Sequence, residues 1–200
     1  MLTFKMPRNA LISIITLFFL GGCAGVKFQK PDPNFLRIGQ PASTELLSKL
    51  GTPSSVGEYS NYNQIIKKLT YTYAESGAPA KYANVLPARS LNLHLHNNIL
   101  VGYQYSSSFA DDATDFDESK VSLIIKNKSS RSDVVELLGK PSNESVFPMI
   151  PPNNTSLMYT YNQYKQTGIG KNTSYTKSLV IGLNSLGIVT ILSYSSSGEK

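Results

Sequence analysis

The chain has 200 residues, nineteen lysines and arginines against thirteen aspartates and glutamates, and a net charge of +6 at neutral pH. Its only cysteine is Cys23, which excludes an internal disulfide framework and a cysteine-built metal site. The length allows one substantial domain or two small ones.

Lys5 and Arg8 stand before an apolar run at residues 11–20 that ends in Gly21 and Gly22. This is the layout of an export signal, and the run is shorter than the roughly 20 apolar residues of a membrane-spanning helix. Residues 1–22 are therefore read as a signal peptide removed from the mature chain. Leu20, Gly21, Gly22 and Cys23 resemble the bacterial lipobox. The resemblance implies a diacylglycerol on the Cys23 sulfur and a third acyl chain, such as palmitate, on its amine. Each buried methylene adds about 0.8 kcal/mol, and two or more chains hold a stable anchor. Ala24 is not the aspartate that retains such proteins at the inner membrane, so the resemblance implies the periplasmic face of the outer membrane. There a basic body meets anionic headgroups or an acidic protein and not nucleic acid, or is simply a lysine-rich solvated surface.

Self-similarity organises the rest. Leu50, Gly51, Thr52 and Pro53 return as Leu138, Gly139, Lys140 and Pro141, 88 residues later. Tyr71, Thr72 and Tyr73 return at the same interval as Tyr159, Thr160 and Tyr161, and Leu91, Leu93 and Leu95 as Leu179, Ile181 and Leu183. Residues 99–101 fall on 187–189 with no insertion, so the pattern reads as a duplication. Each copy opens with an apolar stretch, residues 35–38 and 121–125. A short helix follows that ends at glycine and cannot resume past proline. Ser130 to Asp133 has capping-box spacing, whereas Ala42 stands at the matching position of copy one. Residues 69–74, 89–95, 99–105, 157–162, 177–183 and 187–194 are rich in β-branched and aromatic side chains and read as strands. Residues 148–154 and 168–174 read as loops. The expected fold class is α+β, two tandem modules, each a short helical start packed on an antiparallel β-meander. The divisions are a tether at 23–34, module one at 35–105, an acidic linker at 106–120 and module two at 121–200.

Gly39, the helix ending Leu50, Gly51, Thr52 and Pro53, the Tyr71 to Tyr73 strand and the hairpin that follows resemble the BamE (SmpA/OmlA) family of small outer-membrane lipoproteins. Two such units in tandem also look like the β-lactamase inhibitory protein. The first likeness implies a non-enzymatic docking or scaffold module in envelope assembly, with the membrane and an envelope protein as partners. The second implies a binding or inhibitory protein for a soluble periplasmic target. An accessory lipoprotein of a secretion system fits the same reading.

No constellation for catalysis or a cofactor emerges from the residues. His94 and His96 share a strand face but lack third and fourth ligands for a metal. Asp111 to Glu118 lacks the glycine turn and terminal glutamate of a calcium loop. Ser174 and Lys177 match S-x-x-K, without the Lys-Thr-Gly that should follow. Twelve tyrosines remain. Tyr71, Tyr73, Tyr103, Tyr105, Tyr159, Tyr161 and Tyr194, with His94 and His96, are the partner-binding candidates, since interfaces favour such rings. Strand rings equally pack as core, and alternation alone does not say which face is which.

Overall fold

The computed structural model describes residues 25–168 and 171–199; the signal segment and Cys23 lie outside the described residues. Eight strands follow one another in chain order within one antiparallel sheet. They are β1 (Ser55–Asn61), β2 (Gln64–Ala74), β3 (Ala88–His96), β4 (Ile99–Ser107), β5 (Asn143–Ser145), β6 (Thr155–Gly168), β7 (Lys171–Leu183) and β8 (Val189–Gly198). Among the described residues, helix is confined to α1 (Thr44–Leu50), α2 (Arg131–Leu138) and the 3₁₀ turns Pro33–Phe35 and Glu118–Leu123.

This corrects the expected α+β pair of helix-on-meander modules. The reason is β5, which pairs with β4 through Gln104↔Asn143 and with β6 through Asn143↔Met158, making the strands of both halves one sheet. Neither β1 nor β5 carries an apolar alternation. Six of the seven β1 residues are exposed, because an edge strand has little to bury. The expected loop at 168–174 also gives way to strand, since β7 begins at Lys171.

Two hydrophobic clusters lie on the helix-bearing side of the sheet. The first gathers Phe28, Leu46, Leu69, Tyr71, Leu91, Leu93 and Leu95. The second gathers Phe116, Val134, Leu157, Tyr159, Leu179, Ile181 and Leu183, each 88 positions after its counterpart. Each such fully buried aliphatic side chain contributes roughly 1.5–3 kcal/mol. The register is not free of insertions, however. Leu95 pairs with Leu100, but Leu183 pairs with Val189, so the second hairpin turn is one residue longer.

The helix starts differ by one residue as well. Ser130 caps α2 in a complete capping box with Asp133, whereas α1 is capped by Ser43, whose hydroxyl accepts from the Leu46 amide at 3.1 Å. Ala42 is not the cap position, and α1 is correspondingly a residue shorter.

The acidic stretch, read from its composition as a solvated linker, leaves Asp111 and Asp117 exposed but draws two of its carboxylates into the fold. Asp112 accepts from the Tyr105 hydroxyl at 2.7 Å and pairs with Arg89 at 3.3 Å. Asp115 pairs with Lys177 at 2.7 Å. Arg89 and Lys177 are both buried, 88 positions apart, and bond to the carbonyls of Phe28 and Phe116, themselves 88 apart. Two buried cations need close counter-charges, and the half-buried Asp112 and Asp115 supply them.

Candidate binding face

The tyrosines divide by burial. Tyr71, Tyr105, Tyr159 and Tyr161 are buried on the helix side, so these candidate contact residues are core and present no surface to a partner. Tyr159 donates to the Gly139 carbonyl at 2.7 Å, closing the end of α2, and Tyr161 to Gln163 at 3.3 Å. Burial raises the phenol pKa of Tyr105, Tyr159 and Tyr161. It pushes that of Tyr103, which is half-buried, up to about 12. Tyr73 stacks on Phe109 at 5.9 Å and donates to Glu75 at 2.6 Å, and Tyr194 donates to Glu118 at 2.5 Å. Their polar tips are occupied within the fold.

The two histidines are not joined in one site. His94 is buried with Nδ1 3.0 Å from the Tyr59 hydroxyl, and burial, assisted by the Lys68 ammonium, pushes its pKa down to about 4. His96 Nδ1 lies 3.0 Å from the Ile65 carbonyl. Among the described residues no three histidine, cysteine or acidic side chains gather as a metal site. Ser174 and Lys177 are an odd number of positions apart on β7, so they occupy opposite faces of the sheet. Ser174 borders a cleft on the open face while Lys177 is buried against Phe116.

Sequence reasoning missed the face turned away from the helices. Residues paired in register share a face, and one row can be followed strand by strand. Thr72 pairs with Ser90, and Ser90 with Ser106. The Asn162 amide donates to the Ser106 hydroxyl at 3.1 Å, Asn162 pairs with Thr176, and Thr176 with Ser197. The neighbouring row begins with Thr70, Asn92 and Gln104, linked by side-chain hydrogen bonds of 2.9 and 3.4 Å. These are the polar partners of the leucine alternation. The signal was in the sequence as Ser90, Asn92, Ser106 and Asn162, but only the strand register aligns them.

A cleft of about 400 Å³ opens over the first row, floored by Thr72, Ser90, Ser106, Asn162 and Thr176 and rimmed by Leu86 and Tyr164. Leu86 reaches it because its amide donates to the Tyr164 carbonyl at 2.9 Å, laying the chain between β2 and β3 along β6. The only charged residue at the cleft, Arg89, is committed to the Phe28 carbonyl and Asp112. The other end of the face is covered. Asn61 donates to the carbonyls of Pro148 and Met149 at 2.9 and 3.0 Å, and Tyr62 meets Phe147 at 6.0 Å. Met149 packs its thioether against Gly102, where a Cβ would displace the sulfur. What the cleft leaves open is a surface of hydroxyls and amides beside a tyrosine and a leucine. Its chemistry is hydrogen bonding and apolar contact.

No protein-family pattern matches the chain, and no curated protein matches it. Among solved structures, a crystal structure from Streptococcus mutans described as a "putative beta-lactamase inhibitor protein" is similar over 84% of this chain and 90% of that one. The identity is 16% and the TM-score 0.44, a likeness too loose to carry an argument about function.

Proposed function

We propose that this chain is a non-enzymatic, lipid-anchored binding protein at the periplasmic face of the outer membrane, and that its open sheet face docks an envelope protein. The observation that carries this reading is the hydroxyl and amide row from Thr72 to Ser197, joined across β2, β3, β4, β6, β7 and β8. Such side chains offer many donors and acceptors without the desolvation cost of charge, which suits a protein contact of moderate polarity. Anchoring at Cys23 raises the local concentration of any membrane-seated partner without adding a contact. The lipobox and the likeness to the BamE family support an envelope-assembly setting.

The test is photo-crosslinking in intact cells from a reactive residue placed at Asn162, with Glu136 on α2 as the helix-side control. A discrete envelope-protein adduct is expected from the first position, absent from the second and lost in Cys23→Ala. Adducts from Glu136 alone would discard the open face as the docking surface. The same soluble protein captured with and without Cys23 would replace the envelope reading by that of a soluble-target binder.

A further inference from the structure

The chain enters its fold with almost no slack. Gly25 makes an antiparallel bridge to Tyr73, whose other side is taken by Arg89 of β3. Gly25 therefore occupies the lane beside β2 beyond Ser55↔Thr70, where β1 has not yet begun. Its φ is +71°, and a Cβ there would collide with the Thr72 carbonyl, so this close approach requires glycine. Three residues on, Phe28 is buried in the first cluster and its carbonyl accepts from Arg89 at 3.0 Å. The backbone is thus tied to the sheet from Gly25 onward. Because the bridge is antiparallel, the amino-terminal side of Gly25 faces the Ala74 end of β2. In sequence only Ala24 separates Gly25 from Cys23, a reach of about 7 Å at full extension.

We propose that the lipid on Cys23 seats the Ala74 end of the sheet directly on the bilayer, so that β2 stands outward and carries its hairpin tip into the periplasm. This rests on the anchoring proposed above. The eleven residues of β2 rise about 3.3 Å each, which places Tyr62 and Asn63 roughly 35 Å from the headgroups. The bilayer-facing corner holds Gly25, Val26 and the turn after Ala74, and the cleft at Thr72 lies in the layer next to the lipid. The exposed Tyr62, Ile65 and Phe147 face away from it.

The experiment uses the full lipidated protein in vesicles of phosphatidylethanolamine and phosphatidylglycerol containing a nitroxide-headgroup lipid. The thiol of Cys23 is acylated, so a fluorophore attaches only to an introduced cysteine, Ser76→Cys beside the proposed seat or Ser60→Cys near the tip. Quenching several-fold stronger at position 76 than at 60 is expected. Ten glycine and serine residues inserted between Ala24 and Gly25 should erase that difference. Equal quenching at both positions in protein that floats with the vesicles overturns the seating and leaves the anchor standing. Protein that neither floats nor incorporates palmitate overturns both.

Discussion

The imidazole of His94 is kept neutral by its surroundings, and this has a definite consequence in acid. Its folded pKa of about 4 lies below the unfolded value of 6.5, so the unfolded chain takes up the proton at the higher pH. The stability associated with the neutral ring is whole above pH 6.5, declines as pH falls toward 4, and is lost by no further amount below that. The loss is roughly 3 kcal/mol at most. In His94→Gln, the drop in urea midpoint between pH 7 and pH 4 should be smaller than in the parent chain; an unchanged drop would refute this role for the ring. The tyrosines make the complementary point. Their number and strand positions were legible, but Tyr71 and Thr72 are neighbours on opposite faces, and only packing decides that the ring goes inward and the hydroxyl outward.

Among the elements, the segment from Phe109 to Glu118 departs furthest from its composition. Five acidic residues in a short polar stretch read as solvated because no nearby residue shows which of them the fold will cover. The partners, Arg89 and Lys177, are distant in sequence and buried by the fold. Removing one member of such a pair leaves a charge without compensation, at a cost of about 3 kcal/mol or more. Lys177→Met should lower the unfolding free energy by that order, and Asp115→Leu added to it should restore a substantial part. Additive losses in the double variant, read from urea titrations, would show that the two residues do not act as a pair. The strands with Leu91, Leu93 and Leu95 and with Leu179, Ile181 and Leu183 were legible from alternation. So was the start of α2, from Ser130 and Asp133. β5 was not, because three residues hold no period, and the α1 cap was misplaced by one because the repeat itself slips by one. The row on the open face was hidden for a third reason: its members lie on strands whose alignment depends on those unread elements.

At the scale of the molecule, joining both halves into one sheet leaves two unlike borders, β1 and β8. Each has a side with no neighbouring strand, the template on which sheets extend. β1 carries Val56 and Tyr59 exposed, with Glu58 between them, and a charge on an edge discourages pairing. Glu58→Val should therefore shift the protein toward larger, concentration-dependent species in sedimentation velocity, and an unaltered profile would show that the carboxylate is not what protects this border. Unlike borders also imply a direction of growth. The contact of β4 with β5 joins the end of one run of strands to the start of the next, and β8 of one molecule stands to β1 of another in the same relation, a head-to-tail contact that need not close into a ring. Within one chain that contact is made only once, and residues 108–142 tether its two sides. Two separate half-length chains would meet at whatever concentration the compartment supplied, whereas a short tether sets a millimolar local one. The short strand β5 is thereby relieved of the need to hold strangers together: dilution, which dissolves a dimer, leaves this seam untouched.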